Sequence, residues 1–176
     1  MQKVLVIGSG GAGKSTLAVR LGELLGLPVI HLDTLYWKPG WEAMPQDDWK
    51  RIVAELVQRD RWVMDGNYGG TMDERLKACD TVIFLAYPRL ICLYRALKRV
   101  ATYRGRTRPD LNPGCPEQLP SLEFLNWIWS YPRKRMPKIL ETLKTLEGQK
   151  KIFILRSPSE ARRFLDMIGQ QAAQQR

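Results

Sequence analysis

Residues Gly8 to Ser15 read G-S-G-G-A-G-K-S: a glycine, four residues, then Gly-Lys-Ser. No other stretch constrains the chain as much. Gly8, Gly10, Gly11 and Gly13 let the backbone pass through left-handed conformations closed to side chains. The amide N–H groups can then converge as a concave nest for an anion. Lys14 can reach the β- and γ-phosphates of a nucleotide, and the Ser15 hydroxyl can help hold Mg²⁺. A helix starting at Lys14 would set its positive dipole end against the phosphates. The expected nucleotide contacts are Gly8, Gly10, Gly11, Ala12, Gly13, Lys14, Ser15 and Thr16.

The flanks agree with the motif. Val4-Leu5-Val6-Ile7 is an apolar, β-branched run such as a buried parallel strand shows. After Ser15, Leu17, Ala18, Leu21, Leu24 and Leu25 recur at helical spacing, and Gly26 and Pro28 end the helix. Further strands are expected near residues 28–32, 62–64, 81–86 and 151–155. Helices are expected near 46–59, 71–78, 88–103, 122–146 and 158–168. Such alternation implies a parallel sheet covered on both faces, with ligands at the carboxyl ends of its strands. One domain over 1–169 follows, and the Gln- and Ala-rich end, 170–176, is expected to fray. Thr34–Pro45, aromatic and Pro/Gly-bearing, and the proline-rich Gly105–Pro120 read as connectors.

Composition narrows the class. The longest apolar run, Thr81–Ala86, is too short to span a bilayer, which argues against a membrane partner. The N-terminus enters a strand directly rather than a signal peptide, which points to the cytoplasm. Cys79, Cys92 and Cys115 lack Cys-x-x-Cys spacing and His31 is the single histidine, so no metal-ligand cluster is expected. Net charge is +10, and Arg89 to Arg108 holds seven basic residues and no acidic one. The block is interleaved with Leu90, Ile91, Leu93, Tyr94, Leu97 and Val100, so it is expected to pack against a core as well as meet anions.

Several residues outside the loop suit the same chemistry. Asp65, in W-V-M-D-G-N-Y, ends a strand where a carboxylate would hold Mg²⁺. Asp33, in H-L-D-T-L-Y-W, is read as the end of the second strand; it could take a proton from a hydroxyl, bind the acceptor or support Mg²⁺. It could equally be a capping or turn aspartate. His31 reads as a strand residue satisfied by packing. Tyr36, Trp37 and Trp41 could wall a pocket or form a satellite core that pins the loop. Arg104, Arg106 and Arg108 alternate in a Gly/Pro-flanked stretch, as in a lid that closes over phosphates; Arg104 and Arg108 are the catalytic candidates. Of Arg95 and Arg99, one turn apart, Arg99 is the candidate contact to the nucleotide base, with Arg156 after the last strand.

This order of motifs resembles the nucleoside monophosphate kinase group of P-loop proteins. More closely, H-L-D-T-L-Y-W-K-P-G-W, W-V-M-D-G-N-Y, Y-R-G-R-T-R-P-D and F-L-N-W-I-W look like the bacterial family called DNA topology modulation protein, or adenylate-kinase-like ATPase. The resemblance implies a three-layer α/β P-loop NTPase with a five-stranded parallel sheet in the order 2-3-1-4-5. It also implies an arginine-rich lid near 104–120 and an acceptor-binding flap near 33–60. Adenylate kinases usually follow Asp-Gly with Phe-Pro-Arg, whose arginine grips the acceptor phosphate. Asn67-Tyr68-Gly69 stand here, and Arg75 could substitute.

Two readings result. The first is a kinase using Mg-ATP, with a nucleotide or other small molecule as acceptor. The second is an ATP-responsive regulator that binds nucleic acid through its basic face, although no nucleic-acid motif is present. Oligomeric state is open.

Overall fold

The register of one parallel sheet sets the position of every candidate residue. The computed structural model describes residues 1–174. In chain order the elements are β1 (Lys3–Gly8), α1 (Lys14–Leu25), β2 (Val29–His31), α2 (Leu32–Tyr36), β3 (Trp37–Lys38), β4 (Glu42–Ala43) and α3 (Gln46–Gln58). There follow β5 (Trp62–Asp65), a 3₁₀ turn (Gly69–Thr71), α4 (Met72–Ala78), β6 (Thr81–Leu85) and α5 (Arg89–Tyr103). Last come α6 (Leu122–Lys134), α7 (Met136–Thr145), β7 (Lys151–Leu155) and α8 (Pro158–Gln174).

The main sheet runs β2-β5-β1-β6-β7, all pairs parallel. Counting only these five strands, the order is the expected 2-3-1-4-5. His31 pairs with Asp65, and Gly8 pairs with Leu85, itself opposite Leu155. The carboxyl ends of all the strands therefore meet at one edge, where the glycine loop leaves β1.

Both faces of the sheet are buried, as a parallel sheet between helices requires. Val4, Val6, Val63 and Ile83 face α1, α5 and α8 through Leu17, Leu21, Ala96 and Phe164. Leu5, Ile7, Met64 and Phe84 face the other way, onto Trp49, Val53, Tyr131 and Leu143. Val4 to Ile7 are at most 1% exposed; each such side chain contributes about 1.5–3 kcal/mol relative to exposure.

Four expectations are revised. The helix expected over 122–146 is two helices that part at Arg135. Pro137 opens α7; it has no N–H to donate and its ring would clash with the carbonyl one turn back. Strand β2 stops at His31, so Asp33 lies in the first turn of the short α2 rather than at a strand end. The connector after it contains a small hairpin, β3 antiparallel to β4. Helix α8 continues to Gln174, so the end expected to fray is helical through that residue, while 175 and 176 lie outside the described residues.

Helix α5 packs on one side only. Cys92, Ala96 and Val100 are buried, while Leu90, Tyr94 and Leu97 are exposed. No described helix is long and apolar enough to cross a membrane.

Candidate active site

The loop between β1 and α1 is shaped by backbone that a side chain would obstruct. Gly8 and Gly11 have φ of +153° and +74°. A Cβ on Gly8 would meet the Leu85 carbonyl oxygen at 2.8 Å, and one on Gly11 would run into the Cys92 carbonyl oxygen. Across the loop, a Cβ on Gly10 would meet the Phe124 ring at 2.7 Å. The loop is thus gripped between β6, α5 and α6. Ala12 is buried, and its carbonyl accepts a hydrogen bond from Arg95 Nη1 at 3.2 Å. Thr16 is exposed at the start of α1.

Lys14 Nζ donates to the Ser9 carbonyl at 3.2 Å. Burial pushes its pKa down, and the carboxylates of Asp33 and Asp65 push it back up. Both aspartates therefore share the space around the lysine. Ser15 Oγ donates to Asp65 Oδ2 at 2.7 Å, and Asp65 Oδ1 lies 2.6 Å from His31 Nδ1. His31 is accordingly more than a packed strand residue: hydrogen bonding to Asp65, foremost, raises its pKa.

One residue of the Asp65 turn, Asn67, lies outside the expected site residues. Asn67 Nδ2 donates to the Gly8 carbonyl at 2.7 Å while Asn67 Oδ1 accepts from the Gly8 N–H at 3.2 Å. This paired amide ties the β5 turn to the first residue of the loop. Its only local signal is a position two residues after Asp65. The expectation that Arg75 substitutes for a phosphate-gripping arginine is overturned. Arg75 is fully buried, and its guanidinium donates to the carbonyls of Gly66, Asn67, Tyr68 and Thr71 at 2.7–3.2 Å. It builds the turn instead.

On the flap side, Tyr68 Oη donates to Asp33 Oδ1 at 2.7 Å. Burial, above all, raises the tyrosine pKa, which keeps the hydroxyl a donor. Tyr36 packs edge-on to Trp37 and Trp49, at 5.1 and 5.2 Å between centroids, and tilted on Tyr68 at 4.7 Å. Trp41 packs on Trp37 at 5.5 Å. The aromatics are thus an interlocked cluster within the 33–60 segment, joined from outside by Tyr68, whose hydroxyl meets Asp33.

The 104–120 segment, expected as a lid, lies against the segment after α2, expected as a flap. Thr34 Oγ1 donates to the Asp110 carbonyl at 3.0 Å, the Gly40 N–H to the Gly114 carbonyl at 2.8 Å, and Trp41 Nε1 to the Pro116 carbonyl at 2.9 Å. The expected arginines do not share one environment. Arg104 ends α5 with its side chain exposed. Arg108 Nη1 donates to Asp110 Oδ2 at 2.9 Å, and its Nε lies 2.7 Å from Glu117 Oε2. Arg99, expected against the nucleotide base, donates from Nε to Glu117 Oε1 at 2.8 Å. Arg95, one turn earlier, is the α5 arginine that touches the loop. Arg156 stands exposed just past the carboxyl end of β7, two strands from the loop.

Loop, sheet order and strand-end carboxylate together give a P-loop α/β fold with a five-stranded parallel sheet, the fold also seen in a shikimate kinase, and the chain is similar in sequence to adenylate kinases. These relatives are distant. YqaC, an uncharacterized protein of Bacillus subtilis strain 168, is 28% identical over 139 residues, covering 77% of this chain and 75% of that one. The adenylate kinase of Thermosipho melanesiensis is 29% identical over 106 residues, covering 58% of this chain and 48% of that one. The chain thus spans about half the length of the adenylate kinases it matches. A solved shikimate kinase from Acinetobacter baumannii, in complex with shikimate, aligns with a TM-score of 0.61 at 23% identity, over 100% of this chain and 95% of that one. At that identity the likeness speaks for the fold. No family model matches the chain.

Proposed function

We propose that the protein is a Mg-ATP-dependent phosphotransferase whose acceptor is a hydroxyl group of a small molecule. The observation that carries the donor half is the 2.7 Å contact of Ser15 Oγ with Asp65, beside Lys14 on a glycine-shaped loop. A hydroxyl and a carboxylate are hard oxygen donors, a set that fits Mg²⁺ carried in with a nucleotide. Ser15 and Asp65 would hold the ion, which when bound neutralises charge on the phosphates. Lys14 and the loop amides hold the phosphate chain and orient its terminal group.

Asp33 supports the acceptor half. Its Oδ1 is engaged by Tyr68, which fixes the carboxylate and leaves Oδ2 for an incoming hydroxyl. In the transfer, the acceptor oxygen bonds to the γ-phosphorus, the bond from that phosphorus to the β,γ-bridging oxygen breaks, and ADP leaves. The hydroxyl proton passes to Asp33. An acceptor phosphate would instead need a cationic grip on this side. Asp33 is a carboxyl group rather than a cation, and Arg75 is engaged with backbone carbonyls. Closure of the lid on the flap would exclude water from the transfer. The regulator reading draws less support, because Arg95, Arg99 and Arg108 are engaged within the protein rather than on an open face. The DNA-related name of the family it resembles adds nothing to the site.

The test is ADP release from Mg-ATP with nucleosides, nucleoside monophosphates and hydroxylated metabolites. Acceptor-dependent turnover that vanishes in Lys14→Ala is expected. Asp33→Asn should lower kcat by about 100-fold or more. A flat panel at the Lys14→Ala level would refute the reading.

A further inference from the structure

Glu117 is an unusual residue for a lid. It is an acidic side chain, yet only 5% exposed. Burying a carboxylate is costly unless it is paired and hydrogen-bonded, and here Oε1 accepts a hydrogen bond from Arg99 while Oε2 is ion-paired with Arg108 without one. Arg99 reaches it from α5 and Arg108 from the lid, at 2.8 and 2.7 Å. Both arginines present Nε to the carboxylate. Arg108 uses Nη1 for Asp110. Among the described residues, neither Arg99 Nη atom nor Arg108 Nη2 has a hydrogen-bond partner, and Arg108 Nε meets Glu117 through charge and proximity alone.

The backbone fixes the carboxylate independently of these pairs. The Glu117 N–H donates to the Arg106 carbonyl at 2.9 Å, and the Gly105 N–H donates to the Glu117 carbonyl at 3.3 Å. The lid thus doubles back on itself, with Thr107 opposite Pro116, and delivers one anion between two cations. Both cations stand near the site. Arg99 follows by one turn Arg95, which touches the Ala12 carbonyl of the loop. Arg108 is joined through Asp110 to Thr34, the neighbour of Asp33.

We propose that Glu117 is a positioning residue for the phosphate site: it holds Arg99 and Arg108 by their Nε edges so that their terminal nitrogens jointly receive the γ-phosphate. This rests on the phosphotransferase reading. Guanidinium groups fixed in advance bind an anion without first being ordered, and the carboxylate that fixes them lowers their net charge but leaves the outer donors free. The γ-phosphate is the natural target, since it is the group that must be gripped while it moves between Lys14 and Asp33.

The experiment compares Mg-ATP with Mg-ADP by titration calorimetry on wild type and Glu117→Gln, alongside thermal unfolding. Positioning of the γ-phosphate predicts that Glu117→Gln weakens ATP about tenfold, the size of one lost charge-assisted contact. ADP should change less than twofold, and Glu117→Asp, which keeps the charge, should recover part of the loss. Equal weakening of both nucleotides with a lowered Tm would mean that Glu117 only holds the lid together, and would overturn the proposal. So would unchanged ATP binding, or tighter ATP binding, which would mean that Glu117 withholds the arginines. If Glu117→Gln does not fold, Arg108→Lys carries the test. It keeps the charge but lacks the Nε edge, and the same ATP-selective loss is expected. Wild type that binds neither nucleotide would refute the phosphotransferase reading itself, and this proposal with it.

Discussion

Single residues here do work that depends on what lies far off in sequence. Arg75 is the clearest case. Burial lowers its pKa to about 10, so it is still charged at neutral pH. Arg75→Leu should destabilise the fold by about 3 kcal/mol or more, because Gly66, Asn67, Tyr68 and Thr71 would lose their donor. Urea unfolding measures this. His31 offers a pH probe, since it is the only histidine. Its folded pKa lies above the ordinary imidazole value of 6.5, chiefly through the Asp65 hydrogen bond. The protonated ring is therefore favoured in the fold. That stabilisation is complete below pH 6.5 and fades as pH rises through the elevated folded value. In nucleotide-free protein, NMR titration of the imidazole should show a midpoint above 6.5, and Asp65→Asn should bring it down.

At the scale of elements, the helix over the loop deserves a direct probe. Ser121 caps α6 by accepting from the Phe124 N–H at 3.1 Å, and Phe124 rests on Gly10. Ser121→Ala should cost about 1 kcal/mol of stability, readable by denaturant unfolding. What could be read from sequence divides along the same line. The loop, its strand and its helix are contiguous, and each strand carries its own apolar run, so sheet and loop were legible. The break between α6 and α7 had a local sign in Pro137, masked by the apolar periodicity that continues on both sides of it. Sequence alone places Asp33 at the end of β2, because nothing local separates a strand end from a helix of five residues. Glu117, Asn67 and the carbonyl partners of Arg75 were not legible. Their roles arise only when the β5 turn meets β1 and the lid folds back on α5. A charge run likewise does not say which of its members turn inward.

At the scale of the whole molecule, hydrogen bonds join the 104–120 segment to the segment after α2, and buried thiols report on this junction. Cys115 Sγ lies under the flap, donating to the Lys38 carbonyl at 3.1 Å. Cys79 is buried elsewhere, with its pKa pushed up to about 11. Trp41→Phe removes the indole hydrogen bond to Pro116 and should speed alkylation of Cys115 severalfold. Cys79 should stay slow and Tm should move little, because the change is local opening rather than unfolding. Mass spectrometry of the labelled peptides distinguishes these outcomes. The contacts of Thr34, Gly40 and Trp41 with the lid have one more consequence. On the proposed phosphotransferase reading, the segment that would cover the nucleotide also rests on the one that would cover the acceptor, so the two chambers would share a single door. Neither product could then depart while its companion stayed sealed in, and turnover would be paced by one swing of that door rather than by two separate exits.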